Sequence, residues 1–593
     1  MAGACLDVEN SLTGKTWALR LDKAGERLAE GIAQKFSLPE VAARVLAGRG
    51  IREKDVERFL APTLAGDLPD PSIFKDMDRA AKRLADAVEG KEKIAVFGDY
   101  DVDGATSSAL LARYLKGVSD APFEIYIPDR QKEGYGPNTK ALLGLKERGA
   151  AVAITVDCGT LSYEPLKAAK AAGLDVIVVD HHKAEVELPD CYAVINPNRL
   201  DEENDYQNLA AVGVTFLLVV ALNRELRARG WFKARPEFDL LSLLDLVALG
   251  TVADVVALTG LNRTFVTQGL KVMAARRNTG LRALADVSRL EGTPNTYHLG
   301  FLLGPRVNAG GRVGEASLGA TLLSTEDEAE AARIALALDL YNKERQVIEA
   351  EVESQALFQV EGAMAGGEDP LVFAADKGWH PGVIGIVAGR LKEKFGCPAV
   401  VFSIDDTGEA KGSARSINGV DIGAAVLDAV HHQHLESGGG HAMAAGLTCR
   451  EEKLPELKAF LEKKIAKDVG QARRGNTLKL DGVLSARGAA LDLVDQLEAI
   501  GPYGMGHPNP RFAFSDMTLV KVDVVGRNHV RAIFSGGDGG RLTGVAFRQA
   551  EEPLGQALLA GRGKRFHVAG RLKRNDWQGV AKVDVLIEDA ALA

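Results

Sequence analysis

Residues 94–106, Ile-Ala-Val-Phe-Gly-Asp-Tyr-Asp-Val-Asp-Gly-Ala-Thr, are the clearest indication of the fold of the first half of this chain. It begins as an apolar strand and then carries aspartates at alternate positions, Asp99, Asp101 and Asp103, followed by a glycine. Alternate residues of an extended segment point to the same side, so these carboxylates can face one point. Clustered carboxylates repel one another unless cations lie among them, and oxygen ligands suit Mg²⁺ or Mn²⁺. The segment therefore predicts a strand that ends at a divalent-metal site.

Apolar runs alternate with helix-period segments from about residue 78 to residue 260. The predicted strands cover residues 94–97, 123–127, 151–156 and 176–179, and the predicted helices cover residues 105–117, 138–148 and 163–172. Such alternation is typical of βαβ units on a parallel sheet, and ligands gather beyond the carboxyl ends of strands in such sheets. Asp157 follows one predicted strand, and Asp180, His181 and His182 follow another. We therefore expect several strand ends to face one crevice.

Each of these residues also has an ordinary structural explanation. The aspartates of residues 99–103 could form an acidic turn before a helix, where aspartate is favoured. Two adjacent histidines, such as His181 and His182, are more often found on the surface or in the core than in a metal site. Asp254, within the apolar run of residues 241–256, could cap a helix. Only the complete set favours a metal site.

The whole-chain composition is that of a globular protein with several cores. At 593 residues the chain is too long for one core, and roughly three to five domains are expected. No run approaches the roughly 18 to 20 apolar residues that a membrane span requires, and the first residues lack the features of a secretory signal. The 5 cysteines are scattered without C-x-x-C spacing, so neither a zinc ribbon nor a disulfide framework is indicated. We expect a cytoplasmic protein with no membrane partner.

Charge is distributed unevenly along the chain. The formal net charge of -9 argues against a globally basic nucleic-acid binder, yet residues 521–582 carry 12 lysines and arginines against 5 acidic residues. This region contains short alternating segments at residues 517–525, 529–534, 541–547, 565–572 and 580–587, which predict a small β-barrel. Phe534, Phe547 and Trp577 could stack on nucleic-acid bases or fill the core of that barrel. The C-terminal region is therefore the candidate for contacting a polyanion.

Motifs at the predicted strand ends carry a family resemblance. In chain order they are Gly-Asp-Tyr-Asp-Val-Asp-Gly at residues 98–104, Val-Asp-Cys-Gly at 156–159, Val-Val-Asp-His-His-Lys at 178–183 and Gly-Thr-Val-Ala-Asp-Val-Val at 250–256. They resemble the motifs of the DHH phosphoesterase superfamily, in the order that this superfamily uses. The resemblance extends from about residue 75 to the C-terminus when the comparison is with the single-strand-specific bacterial exonucleases of the superfamily. Further segments that carry it are residues 127–136, 196–198, 211–214, 304–313, 412–416, 439–446 and 501–510.

Three positions depart from the family pattern. His507 stands where the family usually has asparagine, and Gly310 stands where alanine is usual. Phe97 occupies a position where some members place a histidine ligand, so Asp99 is the expected substitute.

The resemblance implies two divalent ions, Mn²⁺ or Mg²⁺, bridged by Asp157. Asp99 and Asp101 would hold one ion, and the other would be held by Asp103, His181 and Asp254. His182 would contact the scissile phosphate or shuttle a proton, and Asp180 would orient a neighbouring histidine.

The resemblance also implies groups that recognise phosphate. Near the scissile phosphate it implies Arg306, Asn308 and Arg312. For the terminal 5′-phosphate and the phosphates beside it, it implies Arg130, Ser413, Arg415, Ser416, Gly439, Gly440 and His441. Each arginine alone could be a solvated surface charge, and the glycine-rich loop at residues 438–441 could be a tight turn.

The fold class implied is α/β and multidomain, with a parallel-sheet DHH catalytic domain, a second α/β DHH-associated domain and a C-terminal OB-like β-barrel. The expected limits are 1–75 for a helical lead-in, 76–261 for the DHH domain, 262–361 for a helical connector, 362–467 for the DHH-associated domain and 468–593 for the OB-like nucleic-acid-binding domain.

The implied function is a metal-dependent 5′-to-3′ exonuclease that hydrolyses single-stranded DNA in recombination and repair. Its expected partners are single-stranded DNA with a 5′-phosphate end, a single-strand-binding protein and a helicase. One alternative is a phosphoesterase for cyclic dinucleotides or very short oligonucleotides, which the long connector and basic barrel disfavour. The other is a non-catalytic nucleic-acid-binding protein, which the complete set of expected metal ligands disfavours.

Overall fold

Two compact units make up the chain in the computed structural model, which describes residues 3–130, 132–364, 369–576 and 581–593. The larger unit comprises Pro69–Val256 and Phe265–Gly475, and the smaller unit comprises Met1–Leu68, Ala257–Thr264 and Asn476–Ala593. The strands are β1 (Thr16–Leu19), β2 (Lys93–Gly98), β3 (Phe123–Tyr126), β4 (Ala150–Val156), β5 (Asp175–Val179), β6 (Ala193–Ile195), β7 (Val372–Lys377), β8 (Ala399–Ile404), β9 (Glu409–Arg415), β10 (Ser437–His441), β11 (Ala444–Arg450), β12 (Thr477–Leu480), β13 (Gly482–Leu484), β14 (Phe512–Val525), β15 (His529–Ser535), β16 (Arg541–Ala546), β17 (Arg565–Asn575) and β18 (Lys582–Leu592).

Helices are present in both units, and in the larger unit they alternate with the strands. The α-helices are α1 (Lys23–Phe36), α2 (Glu40–Gly48), α3 (Val56–Leu60), α4 (Leu64–Asp67), α5 (Met77–Gly90), α6 (Val102–Val118), α7 (Thr139–Glu147), α8 (Tyr163–Ala171), α9 (Ala211–Ala228), α10 (Leu244–Ala253), α11 (Gly260–Ala274), α12 (Thr279–Val287), α13 (Gly304–Val313), α14 (Leu318–Ser324), α15 (Glu328–Met364), α16 (Ile384–Phe395), α17 (Ile422–His431), α18 (Leu454–Arg474), α19 (Leu491–Ile500) and α20 (Pro553–Leu559). A π-helical turn over His298–Leu303 precedes α13.

The first sheet of the larger unit is parallel throughout, with the strand order β3-β2-β4-β5-β6. Its central strands are apolar and almost fully buried, as expected for a sheet covered on both faces. One face packs beneath α7 and α8 around Phe97, Ala153 and Val178. Helices α5, α6 and α9 also contact this sheet. The predicted α/β fold with a parallel sheet is therefore confirmed.

A helical region joins this sheet to a second sheet within the larger unit. Its longest element is α15, whose 37 residues span about 55 Å at the usual helical rise. The second sheet has the order β10-β11-β9-β8-β7, in which β7 and β8 are parallel and the other neighbouring strands are antiparallel. No helix in the described ranges is both long and apolar enough to cross a membrane.

The glycine-rich segment that the sequence predicts as a loop is an edge strand. Residues Ser437–His441 form β10, which pairs with β11 so that Gly439 lies opposite Gly446. The prediction of a loop or tight turn is wrong for this segment, because ladder hydrogen bonds to β11 hold the glycines extended. The turn lies at residues 442–443 instead.

The smaller unit contains the predicted β-barrel. Strands β14, β15, β16, β18 and β17 pair in that order, and β14 also pairs with β17 to close the barrel. Phe534 is fully buried in its core, so a base-stacking role for this residue is wrong. Phe547 is 53% exposed. Trp577, another predicted stacking residue, lies outside the described residues.

The N-terminal residues pack with this barrel. The sequence predicts a helical lead-in over residues 1–75, and the structure includes Met1–Leu68 in the same compact unit as Asn476–Ala593. Strand β1 pairs in parallel with β12, and the indole Nε1 of Trp17 donates to Asp589 at 2.8 Å within the core. Buried Asp481 accepts hydrogen bonds from Arg20 and Arg49. The helices of the lead-in therefore share a core with residues that follow them by more than four hundred positions.

Candidate metal centre

Three aspartates lie side by side because the ends of three neighbouring strands are in register. Asp99, Asp157 and Asp180 directly follow β2, β4 and β5. Each continues the ladder by one residue, since its amide donates to a carbonyl of the next strand: Asp99 to Val156 at 3.2 Å, Asp157 to Val179 at 3.0 Å and Asp180 to Ile195 at 3.0 Å. Parallel strands end at the same edge of a sheet, so the aspartates meet there.

Asp101 and Asp103 are positioned by helix starts. The Asp101 carboxylate caps α6 by accepting from the amides of Asp103 and Gly104. The buried Asp103 carboxylate accepts from the amides of Ala211 and Val212, at 2.7 and 2.8 Å, at the start of α9. Position 104 needs glycine, because a Cβ there would lie 2.4 Å from the carbonyl oxygen of Asp99. Both carboxylates are thereby directed toward the strand ends.

The six residues predicted as metal ligands, together with His182, form three overlapping groups, and within each group the candidate ligand atoms all lie within 4.8 Å of one another. The groups are Asp99, Asp101 and Asp157; Asp103, His181 and Asp254; and Asp157, His181 and His182. Asp157 and His181 each belong to two groups. The arrangement therefore has room for two neighbouring ions that share ligands.

His181 presents a free lone pair to the carboxylates. Its Nδ1 lies 3.0 Å from the carbonyl oxygen of Leu209, which can only accept, so the proton resides on Nδ1. Its Nε2 lies 3.3 Å from a carboxylate oxygen of Asp157, 3.7 Å from one of Asp254 and 4.0 Å from one of Asp103. Burial lowers the pKa of His181 to about 4, so the ring is neutral. A neutral imidazole oriented in this way is suited to bind a metal ion.

The carboxylates are buried close together. Burial, and then repulsion from Asp101, raises the pKa of Asp99 and of Asp157 well above its usual range and that of Asp103 to about 7. Burial, followed by Asp103, raises the pKa of Asp254. One carboxylate oxygen of Asp99 and one of Asp157 are buried without a hydrogen-bond partner among the described residues. Unpaired buried carboxylates are costly, and oxygen ligands suit Mg²⁺ or Mn²⁺, so the donor set fits divalent ions.

Asp180 holds the two histidines rather than facing the other carboxylates. One of its oxygens accepts from the amide of His181 at 2.8 Å and from Nδ1 of His182 at 2.7 Å. Its other oxygen accepts from the amide of Thr160 at 3.0 Å. Burial lowers the pKa of His182, but the hydrogen bond and charge of Asp180 outweigh burial and raise it to about 8. The His182 ring is therefore cationic at neutral pH.

Residues outside the predicted site set also contact it. The Nδ2 of Asn198 donates to the carbonyl of His181 at 2.6 Å, and the Nδ2 of Asn196 donates to that of His182 at 2.8 Å. Tyr135 donates from its hydroxyl to the carbonyl of Asp157 at 3.1 Å. Asn196 follows β6 directly and Asn198 lies two residues further on, so the strand-end rule that indicates the aspartates could have indicated Asn196 too. Nothing in the local sequence distinguishes Tyr135 beyond its place in the family-like segment 127–136.

Several predicted phosphate-binding residues approach the site from the second sheet. The ring of His441 lies nearly parallel to that of His182, with 6.4 Å between ring centroids. Arg415 donates to the hydroxyl of Ser413 at 2.9 Å. A Cβ at Gly385, in the first turn of α16, would lie 2.9 Å from the Arg415 guanidinium and 3.0 Å from that hydroxyl. A helix N-terminus beside an arginine favours an anion.

Guanidinium groups cluster on this side of the site. Burial, and then repulsion from Arg130, Arg345 and Arg415, lowers the pKa of Arg312 to about 10. Burial and Arg130 also lower the pKa of Arg415. Arg130 stacks over the ring of Tyr100, 5.1 Å from its centroid. An anion such as a phosphate would relieve the repulsion among these cations.

Other predicted residues are engaged with protein groups. Arg306 pairs with Asp339 at 2.9 Å and donates to the carbonyl of Leu302. The buried hydroxyl of Ser416 donates to the carbonyl of Val420 at 2.7 Å. The side-chain oxygen of Asn308 is buried without a partner among the described residues. Gly439 and Gly440 lie in β10, where a Cβ at position 439 would meet no atom within 4 Å.

The chain matches three family models over separate ranges. The DHH family N-terminal domain matches residues 93–251, the DHHA1 domain matches residues 368–467 and the RecJ OB domain matches residues 480–589. These matches cover the first sheet, the second sheet and the barrel described above.

Whole-chain comparisons agree with the domain matches. The single-stranded-DNA-specific exonuclease RecJ of Dickeya dadantii is 35% identical, over 93% of this chain and 96% of that protein. The crystal structure of RecJ in complex with Mn²⁺ from Thermus thermophilus superposes with a TM-score of 0.78 at 30% identity, over 96% of this chain and 78% of that one. The corresponding Mg²⁺ complex gives a TM-score of 0.73 at 28% identity, over 97% and 77% of the two chains. The chain belongs to the RecJ family of single-stranded-DNA-specific exonucleases.

Proposed function

We propose that this protein is a metal-dependent 5′-to-3′ exonuclease that hydrolyses phosphodiester bonds of single-stranded DNA in recombination and repair. The observation that carries the proposal is the convergence of five aspartates and two histidines in overlapping groups of ligand atoms, in a chain of the RecJ family. The RecJ of Thermus thermophilus has been solved in complex with Mn²⁺ and with Mg²⁺, which supports a divalent metal as the cofactor.

The proposed ligand assignment follows the overlapping groups. Asp99 and Asp101 would hold one ion, and Asp103, His181 and Asp254 would hold the other. Asp157 would bridge them, because it belongs to one group with Asp99 and Asp101 and its carboxylate also lies 3.3 Å from Nε2 of His181, a proposed ligand of the other ion. A pair of divalent ions activates water and stabilises the attacking and leaving oxygens of phosphodiester hydrolysis.

His182 would act directly on the substrate phosphate. Asp180 holds its Nδ1 and raises the pKa of the ring to about 8, so its Nε2–H is available to donate to a phosphate oxygen. A charge-assisted hydrogen bond of this kind is about twice as strong as a neutral one. Asp180 would therefore act as a positioning residue for His182.

The proposed direction of digestion rests on a pocket for the terminal 5′-phosphate. Arg130, Ser413 and Arg415 would bind this phosphate together with the first turn of α16, and Ser416, Gly439, Gly440 and His441 would lie beside it. The repulsion between Arg130 and Arg415 is what a phosphate would relieve. Arg306, Asn308 and Arg312 would lie nearer the scissile phosphate.

The proposed division of labour assigns hydrolysis to residues 76–261 and strand binding to residues 468–593. The basic stretch 521–582 and exposed Phe547 support strand binding by the barrel. A single-strand-binding protein and a helicase are the proposed protein partners, since a helicase produces single strands and a single-strand-binding protein coats them. The proposed location is the cytoplasm, with the DNA substrate.

One assay tests the activity and its alternatives. The full chain is incubated with 5′-phosphorylated single-stranded DNA, duplex DNA or a cyclic dinucleotide, in Mn²⁺, Mg²⁺ or EDTA. We expect nucleotide release from single strands that stops in EDTA. Hydrolysis of the cyclic dinucleotide alone would favour the small-substrate phosphoesterase, and binding of single strands without hydrolysis in any metal would favour the non-catalytic protein.

A variant tests the direction. Arg415→Ala should reduce the preference for a 5′-phosphate over a 5′-hydroxyl end by about tenfold, since hydrogen bonds to charged groups contribute about 1.5 to 3 kcal/mol. Lys411→Ala, earlier on β9 and exposed, is the matched control and should leave the preference unchanged. Equal preferences in the wild type and Arg415→Ala would contradict the proposed pocket.

A further inference from the structure

Two exposed aromatic rings stack on each other in the helical connector of the larger unit. Tyr297 is 58% exposed and Phe301, four residues later, is 70% exposed. Their ring centroids are 5.3 Å apart and the ring planes are inclined by 22°. Tyr297 also meets the ring of His298 edge-on. Large aromatic side chains usually gain from burial, so a stacked pair left in solvent marks an interaction surface.

The pair is mounted on a rigid turn rather than on a loose loop. Phe301 lies within the π-helical turn His298–Leu303, and Tyr297 caps that turn. Leu299 and Leu303, on the same turn, are almost completely buried at 0% and 1% exposure. One side of the turn is therefore anchored in the core while the aromatic side faces solvent. Single π-helical turns of this kind occur frequently at functional sites.

The turn packs against the segment that ends at the metal centre. A Cβ at Gly300 would lie 3.6 Å from Cγ1 of Val252, and a Cβ at Gly304 would lie 3.4 Å from Cβ of Ala253. Val252 and Ala253 are the last residues of α10, and the metal-ligand candidate Asp254 follows them directly. The turn that carries the exposed rings therefore packs against the residues that lead directly to Asp254.

The same turn leads into residues proposed to bind phosphate. Helix α13 begins at Gly304, immediately after the turn, and carries Arg306, Asn308 and Arg312. A DNA strand whose phosphates lie along α13 would bring its bases within reach of the turn that precedes it. Exposed aromatic rings offer a stacking face to any base, whatever its hydrogen-bonding groups.

We infer that Tyr297 and Phe301 form a stacking platform for a nucleobase of single-stranded DNA entering the metal centre. The inference rests on the proposed function and identifies a base contact within it. Tyr297 and Phe301 each use one face of the ring to stack on the other, and the outer face of exposed Phe301 remains available to a base. A base in duplex DNA is stacked on both sides and offers no free face, so the platform selects single strands.

Abasic substitution tests the platform directly. A set of 5′-phosphorylated single strands carries one abasic residue, moved stepwise along the first eight nucleotides. Binding of the full chain is measured in EDTA, where strands are not cut. Loss of a base–aromatic stack corresponds to about a 5- to 150-fold loss of affinity. The wild type should therefore bind the strand that is abasic at one particular position at least about tenfold more weakly than the intact strand.

The variants separate stacking from other roles. Tyr297→Ala/Phe301→Ala should bind the intact strand about tenfold more weakly and should lose its sensitivity to that abasic position. Phe301→Trp should keep both the affinity and the sensitivity. Phe358→Ala is the matched control, because Phe358 is a phenylalanine that is 87% exposed on α15 of the same unit. Hydrolysis of bis-p-nitrophenyl phosphate in Mn²⁺ should be equal in all four proteins.

The outcomes distinguish this inference from the proposed function. Wild-type affinity in the double variant would overturn the platform, and so would an equal loss for intact and abasic strands, which would indicate a surface that does not bind bases. Failure of the wild type to degrade single strands in any metal would overturn the exonuclease activity while leaving the abasic binding result to decide the platform.

Discussion

Nε2 of His181 lies 3.3 Å from a carboxylate oxygen of Asp157, and this pair joins the two halves of the metal centre. The residues follow neighbouring strands, β5 and β4, and they belong to overlapping groups of candidate ligands. Asp157 has a positive φ of 62°, a conformation that is uncommon for residues with a side chain and that is enriched at functional sites. This backbone conformation is part of how the end of β4 places the Asp157 carboxylate between both sets of ligands.

Asp157→Asn should abolish metal-dependent hydrolysis while leaving single-strand binding intact. The loss of rate should exceed the roughly 10- to 100-fold effect of residues that only support a ligand. In EDTA the variant should melt at a higher temperature than the wild type, because one of the repelling buried carboxylates is gone. Mn²⁺ should raise the melting temperature of the wild type more than that of the variant. Calorimetric melting and nuclease assays measure these effects.

Asp190→Asn is the control for that experiment. Asp190 is an exposed aspartate of the same unit that pairs with Lys170, and its replacement should leave both activity and melting unchanged. A variant of Asp157 that is already unfolded in EDTA would contradict its assignment as a repelling ligand, because it would indicate a structural carboxylate.

Asp180→Asn should lower kcat by about 10- to 100-fold with little change in KM for single strands, as is typical of residues that orient a ligand or catalytic group. The carboxylate accepts from the His182 ring and from backbone amides, and asparagine cannot match its charge. Steady-state kinetics on single strands measure the effect. Glu185→Gln, an exposed residue nearby in the sequence, should behave as the wild type. An unchanged kcat would remove Asp180 from the mechanism.

His507 should make the protein sensitive to acid. Burial, and then the charges of Arg263 and Arg49, lowers the pKa of His507 to about 4, against about 6.5 in an unfolded chain. Between these values the unfolded state binds more protons, so the contribution to stability is complete above about pH 6.5 and falls as the pH approaches 4. The full loss is on the order of 3 kcal/mol.

His507→Asn should remove that acid sensitivity. Asparagine does not titrate, so the free energy of unfolding in urea should fall less between pH 7 and pH 5 in the variant than in the wild type. The ring stacks on Tyr503, with centroids 4.9 Å apart, so the variant should be slightly less stable at pH 7. Parallel pH dependences for the two proteins would contradict the assignment.

Asp481→Ala should destabilise the smaller unit by about 3 to 5 kcal/mol, the usual effect of removing one partner of a buried ion pair. The Asp481 side chain is fully buried and lies 2.6 Å from the guanidinium of Arg49, which is itself 3% exposed, and 3.0 Å from that of Arg20. Thermal unfolding of the full chain measures the change. Asp481→Ala/Arg49→Met should recover part of the loss, whereas the exposed control Glu551→Ala should have no effect.

The position of a site residue can be predicted from local sequence when that residue directly follows a predicted strand. Asp99, Asp157 and Asp180 could be assigned to one crevice because apolar runs predict parallel strands and parallel strands end at one edge. The five strands of the barrel can also be predicted from the sequence, since alternation and turn residues are local properties.

Other features depended on contacts between distant residues. Alternation along the chain does not distinguish a core phenylalanine from an exposed one. Phe534 and Phe547 therefore cannot be told apart from the sequence, although Phe534 is buried in the barrel and Phe547 is exposed. The glycines of β10 have no strand propensity of their own, and only pairing with β11 makes them extended. The core shared by Met1–Leu68 and the barrel joins residues that no local pattern connects.

The chemistry of the protein can be read from the order of its residues: the residue types that follow the strands and the order of the motifs establish the family. The arrangement of those residues in space depends on the folded chain. It sets the tautomer of His181 through the carbonyl of Leu209, turns Asp180 toward His182 and leaves Tyr297 and Phe301 stacked in solvent on the turn that packs against α10. The physical reason is that residue type and periodicity are local, whereas proton position, exposure and side-chain direction depend on neighbours that folding brings from elsewhere in the chain.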